Sequence, residues 1–156
     1  MATGTVKWFN QGLMDLGNKV HNLSSDDIRI GIVTTSTVPT SATAAPHWGG
    51  TGTTNFASSQ VNTSGSVYTG PQVLSNKSYT LVSGIPTLRA DILSLPQDVS
   101  GFTNGAYGII YNNTDTNKRA LGFVEFSSSG TISLVTGSLT VDWANGTNDI
   151  LTLTAV

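Results

Sequence analysis

The stretch AYGIIYNNTDTNKRALGFVEF, residues 106–126, decides how this chain folds. Ala106–Tyr111 and Arg119–Phe126 are dense in aromatic and branched apolar residues, which suit a pleated, half-buried surface. Between them the run Asn112–Lys118 is made of turn-forming residues. Tyr107 and Tyr111 are four apart, so on a regular strand they share a face. The same alternation of apolar run and turn continues on both sides. Gln72–Val82, Thr87–Ser94, Thr131–Val135, Leu139–Trp143 and Asp149–Thr154 read as strands. They are separated by SGIP, QDVSGFTNG, SSSG and ANGTN. Short strands with turns every roughly 8–12 residues predict a sandwich or a barrel. The expected fold is mainly β, a jelly-roll-like antiparallel β-sandwich.

The N-terminal third reads differently. In DIRIGIVTT (Asp27–Thr35), Ile28, Ile30 and Ile32 alternate with Arg29, Gly31 and Val33, which predicts a half-buried strand. Before it, Leu13, Leu16, Val20 and Leu23 recur at helical spacing, predicting a short helix over about 11–23 with Asn10 as its N-cap. Residues 1–10 are expected to form an extended N-terminal arm, with Val6 and Trp8 on one side and Lys7 and Phe9 on the other. Removing the arm is expected to weaken binding more than folding. Residues 11–156 are expected to form a single domain. Residues 35–60 show no period and carry two prolines and several glycines, so they read as a long loop. That loop holds His47, Trp48 and Phe56, which a solvated linker does not need. Trp48 is suited either to close over the domain's own core or to insert into a partner.

Composition narrows the function. A chain of 156 residues can bury ~70% of the surface its unfolded form exposes, so its core needs no staple. It has no cysteine, which excludes disulfides and thiolate chemistry. Charged residues are 10%, against ~25% for an average soluble domain, so the surface is polar through Ser, Thr, Asn and Gly. With 7 Lys+Arg and a formal net charge of −2, no nucleic-acid partner is expected. No secretion signal and no membrane-spanning segment are expected either.

Catalytic motifs are absent from the sequence: no G-x-S-x-G, H-E-x-x-H, Walker A or G-x-G-x-x-G. His21 and His47 read as ordinary polar residues, and Asp26-Asp27 as a solvated turn. The remaining carboxylates are scattered. The chain is read as a non-enzyme without cofactor or metal. Trp143 and Tyr111 are expected in the core. A carbohydrate-binding β-sandwich, on a phage tail or otherwise associated with glycans, is the alternative, with Trp48 as its stacking ring.

Two resemblances bear on the function. TGTVKWFN (Thr3–Asn10) is similar to the first strand of a cold-shock domain. The similarity stops at Asn10, before the aromatic and basic strands that would carry a nucleic-acid face, and is read as coincidence. A wider pattern covers most of the chain. It comprises TVKWFNQGLMDLGNKVHNL, DIRIGIVTT, PHWGG, TNF, QDVSGFTNGAYGIIYNNTDTNKRALGFVEF, LTVDW and DILTLT. This succession resembles the capsid decoration, or cement, proteins of tailed bacteriophages. The resemblance implies a jelly-roll-like domain on the outer surface of the icosahedral head. There it would bridge neighbouring major capsid subunits and stabilise the expanded shell, as a homodimer or a trimer. Contacts with the capsid or between subunits are expected at Val6, Trp8, Phe9, His47, Trp48 and Phe56.

Overall fold

The computed structural model describes residues 5–127, 130–143 and 147–153. Residues 1–4 of the expected arm, parts of the turns expected at 127–130 and 144–148, and Thr154 of the last expected strand lie outside the described residues. In chain order the strands are β1 (Lys7–Trp8), β2 (Ile28–Val33), β3 (Pro46–His47), β4 (Thr54–Asn55), β5 (Gln72–Val73) and β6 (Ser78–Val82). They continue as β7 (Ile85–Arg89), β8 (Leu93–Leu95), β9 (Tyr107–Asn112), β10 (Ala120–Glu125), β11 (Leu139–Val141) and β12 (Asp149–Thr152). One short helix, α1 (Asn10–Gly17), and a 3₁₀ turn at Phe56–Ser59 complete the described elements.

The molecule is mainly β, built from antiparallel sheets that do not close into a barrel. The largest sheet runs β1-β10-β9-β2-β5. Its centre is the pairing of β9 with β10 and with β2, so residues 106–126 do lie at the heart of the fold. Two smaller antiparallel sheets, β12-β7-β6 and β11-β8, contribute Leu88, Ile150, Leu151, Leu95, Leu139 and Val141 to the main core. There they meet Ile28, Ile30, Ile32, Ile110, Leu121 and Val124 of the large sheet. Trp143 and Tyr68 are fully enclosed in this core, and the Tyr68 hydroxyl accepts from the Ile32 amide at 2.8 Å. Trp143 donates through its indole N–H to the Asp91 carbonyl at 2.8 Å.

The opposite face of the large sheet is also covered. Val33, Ile109, Tyr111, Ala120 and Phe123 form a second core with Phe9, Trp48 and Phe56. Strand β2 is therefore not half-buried as its alternation predicts: only Arg29 is partly open. The reason is the segment 35–60, which folds back over the sheet. It is held by the short parallel pair β3–β4, by the 3₁₀ turn, and by single bridges from His47 to Arg119 and from Gln60 to Val33.

Four other expectations change. The helix is shorter than 11–23. It ends at Gly17, after which Lys19 adopts φ +62° and the chain turns away before Val20 and Leu23. Its buried residues are Gly12 and Asp15, whereas Met14 is 55% exposed and Leu13 is exposed too. Gly12 faces the sheet because a Cβ there would meet the Leu121 carbonyl oxygen at 2.5 Å. Phe9, not Asn10, is the N-cap, and no side chain caps the helix; the Asn10 amide donates to the Ser41 carbonyl at 2.9 Å. The expected strand at 131–135 is reduced to a single bridge between Ile132 and Gly105. The runs 72–82 and 87–94 each contribute to two strands rather than one.

The described part of the N-terminal segment is not a free arm. Lys7 and Trp8 pair with Phe123 and Gly122 of β10, and Phe9 is wholly buried. Its predicted two-sidedness is present. Val6 and Trp8 pack on the main core, Phe9 enters the second core, and the Lys7 ammonium lies 6.0 Å from the Phe123 ring centroid.

Candidate functional site

The six residues singled out from the sequence face mostly inward and divide between the two faces of the large sheet: Val6 and Trp8 pack on the main core, and Phe9, Trp48 and Phe56 in the second. Phe9, His47, Trp48 and Phe56 are all buried; only Val6 and Trp8 keep partial exposure. The Phe9 ring lies 5.8 Å from Phe56 and 5.1 Å from Phe123. Trp48 stacks on Tyr111 at 5.4 Å with planes 10° apart. Its six-membered ring fills the space over Gly31, where a Cβ would come within 2.2 Å of Trp48 Cη2. Buried aromatic side chains contribute large apolar area and specific ring geometry. These side chains thus fasten the N-terminal segment and the 35–60 segment to the sheet. Trp48, at 6% exposure, closes over the domain's own core, and in this conformation its ring is not presented to a partner.

Next to this aromatic cover lies a polar cavity of about 310 Å³. Helix α1 supplies Gln11 and Asp15, one turn apart on the face turned toward the β9–β10 connection. The 35–60 segment supplies Ala45, Pro46 and Thr51, and the β9–β10 connection supplies Asn117 and Arg119. Asp15 is 4% exposed; its Oδ1 accepts from Gln11 Nε2 at 2.9 Å, and its Oδ2 has no hydrogen-bond partner. The Arg119 guanidinium stands 3.8 Å from Asp15 Oδ1 and 3.7 Å from Asp115 Oδ2, too far for direct hydrogen bonds. None of these residues stood out in the sequence. Gln11 and Asp15 carry no motif, and Asn117 and Arg119 sit about a hundred residues further along.

Behind the cavity is a buried network. Asn112 places its amide nitrogen 3.2 Å from His21 Nδ1 and donates to Asp26 Oδ2 at 2.6 Å. With Nδ1 accepting, the neutral ring carries its proton on Nε2, which is buried without a partner. Burial pushes the His21 imidazole below its ordinary value. Asp15, Asp115 and Asp26 pull it back up, while Arg119 adds to the fall. His21 is therefore not the ordinary surface residue the sequence suggests. Asp26 and Asp27 are also more than a solvated turn. Asp27 holds Arg29 and Asn113 at 2.8 Å each, and the Arg29 hydrogen bond, ahead of other causes, lowers its carboxyl below the usual range.

The opposite kind of surface is found on the hairpin β6–β7. Residues 78–88 read SYTLVSGIPTL and contain no charge. Leu81 is 70% and Ile85 37% exposed; the register pairs Leu81 with Pro86 and Val82 with Ile85 around a Ser83-Gly84 turn with positive φ at both residues. Strand β6 is an edge of its sheet, and edges of this kind are usually blunted by charge or proline. Here Lys77 precedes the strand and its ammonium is turned away, bound to the carbonyls of Leu23 and Ser24. Among the described residues no helix is long and apolar enough to cross a membrane, and no three His, Cys, Asp or Glu gather to hold a metal ion.

Comparison with protein-family models, with curated proteins and with solved structures gives no match to this chain.

Proposed function

We propose that this chain is a non-enzymatic structural protein that binds the outside of an assembled protein shell. The shell to which its sequence resemblance points is the icosahedral head of a tailed phage, with the major capsid protein as partner. On this reading the antiparallel sheets are those of a jelly-roll-like sandwich, and the protein acts as a homodimer or trimer that bridges neighbouring capsid subunits. The observation that carries the proposal is the uncharged hairpin β6–β7, with Leu81 in solvent on the edge strand β6 and Ile85 partly exposed beside the turn on the hairpin's other face. An edge strand without charge that exposes an apolar side chain is open to pairing or packing with another chain.

The physics of such a role is mass action. A protein that binds the assembled shell and not the separate subunits stabilises the shell. At ~25 cal/mol per Å² of apolar surface, a contact of several hundred Å² contributes a few kcal/mol before association costs. Repetition over symmetry-related sites makes modest contacts sufficient against internal pressure. Glycan binding by stacking on Trp48 has less support, because that ring is packed on Tyr111 over Gly31.

Expanded heads lacking the protein provide the test. The purified chain is expected to sediment with them, to ignore unassembled capsid protein, and to raise the temperature at which heads rupture. The double variant Leu81→Asp, Ile85→Asp is expected to lose binding while its own unfolding free energy moves by no more than ~0.5 kcal/mol, as for exposed positions generally. Equal binding to unassembled subunits, or unchanged rupture temperature, would overturn the proposal.

A further inference from the structure

The cavity beside α1 holds two charged groups whose hydrogen bonding is incomplete. Asp15 is enclosed: its Oδ2 is closed to solvent and has no donor, a costly state for a carboxylate oxygen, and its Oδ1, beside Arg119, accepts from Gln11. Arg119, about a third exposed, carries five N–H donors, and its guanidinium has no acceptor among the described residues closer than the 3.7 Å to Asp115. Both side chains line the same space of about 310 Å³, at the lower end of small-molecule sites.

We propose that this cavity binds a compact zwitterion of the α-amino acid class, its ammonium on Asp15 and its carboxylate on Arg119. The two protein groups are about 4 Å apart, so a ligand that satisfies both presents donor and acceptor side by side. Ammonium and carboxylate on one Cα have that spacing. A simple amine leaves Arg119 unmet and is repelled by it; a simple carboxylate does the same to Asp15. A sugar can reach both groups, but with uncharged hydroxyls, and charge-assisted hydrogen bonds are about twice as strong. Gln11, Asn117 and Thr51 offer further polar groups around the ligand.

The walls are set before any ligand arrives. Ala45, a lining residue, has φ +36°, and Lys118, between Asn117 and Arg119, has φ +49°; strained non-glycine backbone gathers at ligand sites. The Trp48 amide donates to the Lys118 carbonyl at 2.9 Å. Gly50 lies so close that a Cβ would meet the Asn117 carbonyl oxygen at 2.0 Å. These contacts hold the 45–51 segment against the β9–β10 connection.

The site is independent of the shell reading, and its test needs no phage. The full chain, labelled with ¹⁵N, is titrated with L-serine, ethylamine, acetate and glucose while the side-chain N–H signals of Gln11, Asn117 and Arg119 are followed. Serine is expected to give saturable shifts at all three, with the other ligands at least about tenfold weaker. Arg119→Gln is expected to abolish the preference of serine over ethylamine, and Asp15→Asn to weaken serine at least about tenfold. If Asp15→Asn fails to fold, the ligand series on the unaltered chain still decides. No saturable shift with serine, or ethylamine, acetate or glucose binding as tightly, overturns the proposal.

Discussion

At the scale of single residues, His21 shows how position outweighs residue type. Its Nδ1 faces the Asn112 amide, whose two hydrogens are engaged by the ring and by Asp26. Adding a proton at Nδ1 sets N–H against N–H. The folded-state pKa is lowered from the ordinary 6.5, chiefly by burial, so the unfolded chain binds the extra proton more readily. The stability this contributes is complete above 6.5 and is lost as pH falls through the lower folded value. Urea midpoints are therefore expected to drop as pH is lowered from neutrality, before the carboxylates titrate. His21→Gln is expected to flatten that slope; an unchanged slope would assign the effect to another group. By its local sequence His21 falls in the expected helix and reads as an ordinary polar residue. That local pattern holds no trace of Asn112, ninety-one positions away, whose own Oδ1 is committed to the amides of Thr114 and Asp115.

At the scale of elements, α1 reverses a propensity argument. Replacing glycine by alanine inside a helix normally gains up to ~1 kcal/mol. At Gly12 the added Cβ meets the Leu121 carbonyl at 2.5 Å and its Cα at 2.9 Å, both backbone atoms that cannot step aside. Gly12→Ala is expected to destabilise the fold by ~1–3 kcal/mol in denaturant melts. Gly17→Ala, with nothing within 4 Å of its Cβ, is expected to be neutral or mildly stabilising. Equal effects at the two glycines would mean that α1 does not pack on β10 as described. The same contact explains why the apolar stripe Leu13-Leu16-Val20-Leu23 misled. The helix approaches the sheet through its smallest residue, leaving Leu13 outside. Segment 7–9 follows the same logic. Its alternation was legible, but its attachment depends on an open edge at β10, which the segment itself does not encode.

At the scale of the whole molecule, scarcity of charge governs behaviour. The ion pairs Arg29–Asp27 and Arg89–Asp149 join side chains that are about a quarter to a third exposed. Pairs of this sort contribute ~0–1 kcal/mol and weaken in salt. Raising salt about tenfold from ~50 mM is therefore expected to move the thermal midpoint by no more than a few degrees; a large fall would mean that charge pairs, not the cores, hold the fold. Cores carry the stability instead, and much of what fills them is legible in the chain. The strand character of β2, β9 and β10 and the turn chemistry between strands follow from runs of branched and aromatic residues and from local sterics, which need only near neighbours in the chain. Three features emerge only in the folded chain: the large sheet is covered on both faces, Trp48 lies over Gly31, and Asp15 meets Arg119. Each of these joins segments far apart in sequence, and their meeting depends on loop closure and the volume left by other side chains, quantities that no local pattern records.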